Sequence, residues 1–175
     1  MPDRREARAG PSARRQLYTA EERQRRDDTV WTVVQGVLAP AQFLVFLVSL
    51  ILVLRFMGTG EGYALATASV VLKTAILYTI MVTGAIWEKI VFGRWLFAPA
   101  FFWEDVFSFV VIGLHSAYLY ALFMGLSPRA QMVIALCAYA AYVVNAAQFL
   151  LKLRAARLQA GAERAGMASQ QELAA

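Results

Sequence analysis

The sequence predicts an all-α polytopic membrane protein whose four transmembrane helices form a bundle. Hydrophobic residues make up 59% of its 175 residues and charged residues only 17%, against roughly 45–50% and 25% in soluble domains. The mean hydropathy is +0.52, and 20 of the 29 charged residues lie in residues 1–28 and 152–175. The middle of the chain holds four apolar runs long enough to cross a bilayer. This pattern excludes a soluble globular enzyme and a disordered chain.

A basic tail precedes the first apolar run. Residues 1–28 contain eight arginines and no apolar stretch typical of a cleaved signal peptide. We expect a cytoplasmic tail that is partly disordered until about Tyr18. Thr19 followed by Glu22 resembles a capping box, which predicts a short surface helix over 19–28.

The first two spans follow directly. An uncharged run from Val30 to Leu54 predicts the first transmembrane helix, and Pro40 is expected to kink it. Residues 58–60, Gly-Thr-Gly, indicate a tight turn. The second span is expected over about 62–92.

The last two spans begin at prolines, which are tolerated in a first helical turn. The third is expected to start near Pro99 and to end near Met124. Ser127 and Pro128 are typical of an N-cap and first turn, so a fourth helix is expected to about residue 153. The predicted organisation is therefore a tail over 1–28, a four-helix domain over 29–154 and a C-terminal tail over 155–175.

Basic residues set the predicted orientation. With both termini in the cytoplasm, the outer face receives only Arg55 and Arg129. The opposite topology would translocate both basic tails, which the positive-inside rule disfavours. The basic balance is thus explained by membrane topology, and no nucleic-acid partner is expected.

Single cysteine and histidine residues limit the cofactors. Cys137 alone cannot form a disulfide within the chain, and His115 alone cannot build a multi-histidine zinc site or a bis-histidine haem. No protein-held metal is expected.

Each predicted span has one face with polar residues, which is costly in a membrane unless that face points into the bundle. Glu104, Ser108 and His115 lie within about 40° of one another at about 100° per residue. Asp105 is about 100° away from Glu104 and is not expected to point to the same spot. Lys73 and His115 lie deeper toward the outer half than the other candidates. The candidate site residues are Glu88, Glu104, Asp105, His115, Gln35, Gln42, Asn145, Gln148, Tyr142, Trp103 and Lys73.

Acids and amides near the cytoplasmic ends predict a pocket open from that side. Structural explanations stay open for each group. Glu88 could pair with Lys89, and Asp105 with Lys89 or Arg94. Lys73 could snorkel or pair with Glu61. The amides could join helices, His115 could be a hydrogen-bonded structural residue, and Trp103 could anchor the interface or line a pocket for a flat aromatic ligand.

Four motifs resemble the vinyl bacteriochlorophyllide hydratase family. They are WTVVQGVLAP at 31–40, KTAILYTIMVTGAIWEK at 73–89, FAPAFFWEDVF at 97–107 and NAAQFLLK at 145–152. The resemblance extends over about residues 17–158, most of the chain. It is specific, because the motifs are long and contain several intramembrane polar residues.

The resemblance implies addition of water to the C3 vinyl group of chlorophyllide a or bacteriochlorophyllide a, giving a 1-hydroxyethyl group. It implies a bacterial inner membrane location, either cytoplasmic or intracytoplasmic and photosynthetic. The expected partners are the pigment and the lipid bilayer, with other pigment-biosynthesis enzymes or further copies of this chain as possibilities. No cofactor is expected, since the magnesium is part of the substrate.

Vinyl hydration requires a proton donor and a positioned water. We hypothesise that Glu104 is the general acid and that Glu88 or Asp105 orients the water. His115 is a candidate ligand of the pigment's magnesium, and Lys89, Arg94 or Lys152 a partner for its propionate. The alternatives are a pigment carrier or assembly factor, and a small proton-coupled transporter.

Overall fold

A computed structural model describes residues 17–174, with side-chain surroundings for residues 17–158. The described part is helical, with short connections. Its helices are α1 (Ala20–Asp28), α2 (Val30–Thr59), α3 (Tyr63–Phe92), α4 (Phe102–Phe123) and α5 (Pro128–Ala174). Four of them, α2 to α5, are long and apolar enough to span a membrane. The predicted disorder of the first residues lies outside the described part, apart from Leu17 and Tyr18.

The two helix starts that were predicted from a local sequence signal, those of α1 and α5, are both confirmed. The Thr19 hydroxyl accepts a hydrogen bond from the Glu22 N–H at 3.2 Å, and the Glu22 carboxylate accepts one from the Thr19 N–H at 2.8 Å. This complete capping box starts α1. At α5, the Ala130 N–H donates to the Ser127 hydroxyl at 3.4 Å.

Helix α2 is continuous through Pro40 and ends at the predicted turn, where Gly60 caps it with a φ of 76° that only glycine adopts readily. The boundaries of α4 and α5 differ from the prediction. The prediction that the third span starts near Pro99 was wrong, because the Phe101 N–H donates to the Ala98 carbonyl at 2.8 Å and closes a turn there. Helix α4 therefore starts at Phe102, and α5 continues well beyond residue 153.

The four long helices form an antiparallel bundle with neighbour order α2–α3–α4–α5, and α5 also contacts α2. Packing is most extensive within the two hairpins, α2–α3 and α4–α5, and less extensive between them. Helix α1 packs against α3. We call the end that carries α1 and the 93–101 connection the tail end, and the end with the short connections 60–62 and 124–127 the turn end.

Apolar side chains fill the bundle centre toward the turn end and also cover its outside. The central cluster includes Phe46, Val53, Val70, Leu77, Val111, Tyr118, Met132 and Tyr139. A second, smaller cluster of Tyr18, Val91 and Phe101 lies at the tail end. Many Leu, Val and Phe side chains on the outer surface are exposed, as a bilayer-facing surface requires. Polar residues occupy the layers between the two clusters.

Candidate functional site

Three acids meet at the tail end of the bundle. Glu88 from α3 and Glu104 and Asp105 from α4 are each 4–5% exposed. The Glu88 and Asp105 carboxyl groups lie within hydrogen-bonding reach of each other, and Glu104 is close enough to interact with both electrostatically. A hydrogen bond between two carboxyl groups requires a proton on one of them. We call Glu88 and Asp105 the carboxyl pair.

The connection between α3 and α4 holds the carboxyl pair in place. The Ala98 N–H donates to the Glu88 carboxylate at 3.2 Å, and the Phe97 N–H donates to Asp105 at 2.7 Å. Phe97 adopts a φ of 58°, which is uncommon for a residue other than glycine. The backbone therefore turns sharply at the place where its N–H groups reach both acids.

The third acid has a different partner. Lys152 of α5 forms an ion pair with Glu104 at 2.6 Å. Its ammonium also donates to the Ala100 carbonyl and lies 4.8 Å from the centre of the Phe101 ring. Lys152 thus joins the tail ends of α4 and α5 to the connection between α3 and α4.

The predicted interfacial pairings of the acids with Lys89 and Arg94 do not form. The Lys89 ammonium instead donates to the Gly93 carbonyl at 2.9 Å, at the C-terminus of its own helix. Cations are favourable at that position because the last carbonyls of a helix are unpaired. The cation paired with the acid cluster therefore comes from α5, and backbone N–H groups donate to Glu88 and Asp105.

A layer of amides lies next to the acids, farther into the bundle. The Asn145 side chain donates to the Ser108 hydroxyl at 2.9 Å. The Asn145 Oδ1 and Gln148 Oε1 atoms are buried, with no hydrogen-bond partner in the described part of the chain. Buried amide oxygens of this kind are normally satisfied by protein or water, so they can hold a water molecule.

A second polar group, the mid-bundle cluster, lies deeper and consists of Gln42, Lys73, His115, Tyr139 and Tyr142. The Lys73 ammonium lies 3.7 Å from the centre of the Tyr142 ring, and the His115 and Tyr139 ring centres are 5.9 Å apart. Within residues 17–158, Lys73 Nζ, His115 Nε2 and Gln42 Oε1 are buried without hydrogen-bond partners.

The backbone defines the tautomer of His115. Its Nδ1 lies 2.8 Å from the Val111 carbonyl oxygen, which can only accept a hydrogen bond. Nδ1 therefore carries a proton, and in the neutral ring Nε2 presents a lone pair. That lone pair could accept a hydrogen bond or ligate a metal.

The two polar groups are separated along the bundle axis. Asp105 and His115 are ten positions apart on α4, which corresponds to a rise of about 15 Å. Ten residues of α5 likewise separate Tyr142, in contact with Lys73, from Lys152, paired with Glu104. The sequence placed Lys73 and His115 deeper than the acids, and the structure has the same arrangement.

Two candidate residues lie outside both groups. The Gln35 side chain is half-buried and donates to the Thr83 hydroxyl at 2.8 Å, which joins α2 to α3. Trp103 is 64% exposed and packs edge-on against Phe102, so the structure does not bring it into the buried site. Its position suits an anchor at the membrane interface.

Sequence reasoning missed the role of Tyr18. This residue is 6% exposed and stacks on Phe92, with 5.7 Å between ring centres, next to Phe101. The Arg26 guanidinium lies 4.9 Å from its ring centre, and burial raises the pKa of the Tyr18 hydroxyl. An aromatic residue before a capping box was the available signal, because such a residue often packs back onto the fold.

Sequence reasoning also missed a chain of hydrogen-bonded hydroxyl groups toward the turn end. The Ser49 hydroxyl lies 2.5 Å from the Tyr139 hydroxyl and 2.7 Å from that of Ser69. These bonds connect α2, α3 and α5. Their partners are set by helix packing rather than by spacing along one helix, so the sequence carries no direct signal for them.

Comparison with known proteins agrees with the resemblance seen in the motifs. A family model described as 2-vinyl bacteriochlorophyllide hydratase matches residues 18–155. A protein of that name from Rhodobacter capsulatus is 69% identical over 154 residues, covering 88% of this chain and 90% of the relative. A second, from Cereibacter sphaeroides, is 71% identical over 144 residues, covering 82% and 90%. No solved structure matches. The chain belongs to the 2-vinyl bacteriochlorophyllide hydratase family.

Proposed function

We propose that this protein adds water to the C3 vinyl group of chlorophyllide a or bacteriochlorophyllide a, forming the 1-hydroxyethyl product. The structural observation behind this proposal is the carboxyl pair, Glu88 and Asp105, buried among apolar helices beside amide oxygens. Family membership supplies the substrate, and the buried acids supply a proton donor suited to it.

The reaction needs a proton before it needs water. Protonation of the terminal vinyl carbon breaks the carbon–carbon π bond and leaves a cation on the carbon attached to the macrocycle, which delocalises the charge. Water then forms a carbon–oxygen bond at that carbon and loses one proton to a base. The net change is the gain of one water, and the donor recovers a proton by the end of the cycle.

We assign proton donation to the carboxyl pair rather than to Glu104. Two carboxyl groups within hydrogen-bonding reach of each other can share one proton, which Glu88 or Asp105 can then donate. Donation from Glu104 would require its ion pair with Lys152 to break. Glu104 instead provides negative charge near the developing cation, and electrostatic stabilisation of this kind is a large term in catalysis.

The amide layer suits the water. Asn145 Oδ1 and Gln148 Oε1 are acceptors without partners in the described chain. A water that donates one hydrogen bond to either of them keeps a lone pair for attack and its second O–H for the base. Glu104 or the carboxyl pair accepts the proton that the water loses. These assignments use only side chains of α3, α4 and α5.

The proposed setting is the inner membrane of a phototrophic bacterium, cytoplasmic or intracytoplasmic, with both termini in the cytoplasm. That orientation places the acid cluster near the cytoplasmic face. The reaction as written consumes no redox equivalent, so we propose no cofactor, and the magnesium arrives with the pigment. Further copies of the chain and other pigment-biosynthesis enzymes are proposed as partners at the membrane.

The deciding experiment uses membranes containing this chain and a 3-vinyl bacteriochlorophyllide, without any redox cofactor. Chromatography with mass detection should show a gain of one water, and oxygen-18 from labelled water should enter the product. Pigment that is bound but unchanged would favour a carrier or assembly factor instead. Movement of pigment across the membrane, coupled to a proton gradient, would favour a transporter.

A further inference from the structure

Lys73 is a buried amine that the proposed chemistry does not use. It is 0% exposed, and its Nζ atom has no hydrogen-bond partner within residues 17–158. Its close contact is with the face of the Tyr142 ring, 3.7 Å from the ring centre. A cation over an aromatic face is attractive, but the ring cannot neutralise the charge.

The described chain offers Lys73 no counter-charge. The buried acids Glu88, Glu104 and Asp105 are engaged at the tail end, and Glu88 lies fifteen positions along α3 from Lys73, a rise of about 22 Å. The predicted partner Glu61 is exposed in the turn-end connection and forms no ion pair with Lys73. Ionisable residues inside a membrane normally pair with something, and residues 17–158 supply no such anion, so we look to a bound ligand for it.

We propose that Lys73 binds the propionate carboxylate of the pigment. The inference rests on the proposed function for the identity of the ligand, and it adds a recognition site that is distinct from the acid cluster. The carboxylate accepts hydrogen bonds from the Lys73 ammonium, and the Tyr142 ring stays against the same ammonium. This ion pair between lysine and propionate discriminates against an uncharged pigment ester, because the ester cannot neutralise the Lys73 ammonium.

The separation of the two groups fits the size of the pigment. The vinyl group and the propionate carboxylate lie on adjacent pyrrole rings and are roughly 12 Å apart at ordinary bond lengths. The rise from Tyr142, which contacts Lys73, to Lys152, which pairs with Glu104, is about 15 Å. The rise from Lys73 to Glu88 on α3 is about 22 Å, so the side chains of Lys73 and Glu88 must extend toward each other to reach the two ends of one pigment. A pigment aligned with the bundle axis therefore reaches Lys73 with its propionate and the acids with its vinyl group.

This alignment also revises the predicted role of His115. The vinyl group is five bonds from the magnesium, at most about 8 Å at ordinary bond lengths. Magnesium on His115, about 15 Å from Asp105 along α4, would leave the vinyl group short of the acids. His115 accordingly belongs with Lys73 at the propionate end. The pigment lies where the two hairpins meet, since packing there is less extensive than within each hairpin.

The test compares the free-acid pigment with its propionate methyl ester, by equilibrium binding measured from the pigment absorbance. The wild-type protein should bind the acid about 10- to 100-fold more tightly than the ester, as expected for a charge-assisted hydrogen bond. Lys73→Met should remove that preference by weakening acid binding alone. The variant should fold, because methionine replaces an unpaired buried amine with an apolar chain of similar length.

Lys89→Met is the matched control, since Lys89 lies near the other membrane face and contacts the Gly93 carbonyl. It should leave both dissociation constants within about twofold. Equal wild-type affinity for acid and ester would overturn the inference. An equal loss of affinity for the acid and the ester in Lys73→Met would also overturn it. A loss of affinity for the acid alone in Lys89→Met would do the same. Because binding is measured without turnover, a protein that binds the acid through Lys73 but never hydrates it refutes the proposed function alone.

Discussion

The acid cluster and the mid-bundle cluster differ in whether their buried polar groups have partners within the described chain. At the tail end, each acid has a partner from the chain: backbone N–H groups for Glu88 and Asp105, and Lys152 for Glu104. In the mid-bundle cluster, the buried atoms Lys73 Nζ, His115 Nε2 and Gln42 Oε1 have no hydrogen-bond partner in the described residues. Buried polar groups whose hydrogen bonds are made by their own chain stabilise the fold. Buried polar groups without such partners lower its stability until a ligand supplies the missing hydrogen bonds.

The difference separates two tasks that one substrate imposes. Catalysis needs acids held at fixed positions, because small displacements of catalytic groups are costly. Recognition needs unsatisfied groups that gain their partner from the ligand. On this view the tail end is built before the pigment arrives, and the mid-bundle cluster is completed by the pigment.

The largest effect is expected from neutralising the carboxyl pair. Asp105→Asn and Glu88→Gln should each lower kcat by about 10²-fold or more, the usual contribution of a positioned general acid. Glu104→Gln should lower kcat less if its role is electrostatic. Single-turnover hydration rates in membranes, normalised to protein content, provide the measurement. A larger loss in Glu104→Gln than in both pair variants would return the donor role to Glu104.

The next effect is on stability and contrasts the two buried lysines. Lys152→Met should lower the free energy of unfolding in detergent by about 1–3 kcal/mol, because it leaves the buried Glu104 carboxylate unsatisfied. Lys73→Met should unfold with the same free energy or a higher one, since no partner in the described chain is lost. Adding Glu104→Gln to Lys152→Met should restore part of the loss. Equal destabilisation by the two lysine variants would contradict the contrast.

The smallest effect concerns the helix that covers the tail end. Tyr18→Ala should detach α1 from Phe92 and Phe101, so that trypsin cleaves within Ala20–Asp28 faster in detergent-solubilised protein. The exposed aromatic area corresponds to about 1–3 kcal/mol of local docking energy. Tyr18→Phe keeps the stacked ring and should be cleaved at the wild-type rate. Unchanged cleavage of the alanine variant would mean that other contacts hold α1.

Sequence reasoning succeeded where the signal was local. The Thr19 capping box, the Ser127–Pro128 start and the four spans follow from neighbouring residues or from apolar run length. The shared face of Glu104, Ser108 and His115 follows from helical periodicity, and all three residues are buried.

It failed where the answer depends on the path of a connection. Asp105 lies about 100° from Glu104 on the helix, yet both are buried, because the chain before α4 folds back over the Asp105 side and supplies the Phe97 N–H. The turn that ends at Phe101 delays α4 past Pro99. Neither the positive φ of Phe97 nor the reach of Lys152 to Glu104 has a signature in residue spacing.

The connection between α3 and α4 presents its main-chain N–H groups, and not its side chains, to the carboxyl pair. An insertion or deletion in the connection would therefore move both N–H groups at once and displace both acids. Proline cannot replace Phe97 or Ala98, because it has no N–H to donate. The fully buried Ala98 and the Phe97 ring, stacked on Phe109, also limit which side chains fit there, so the connection acts as a template defined by both its length and its packing.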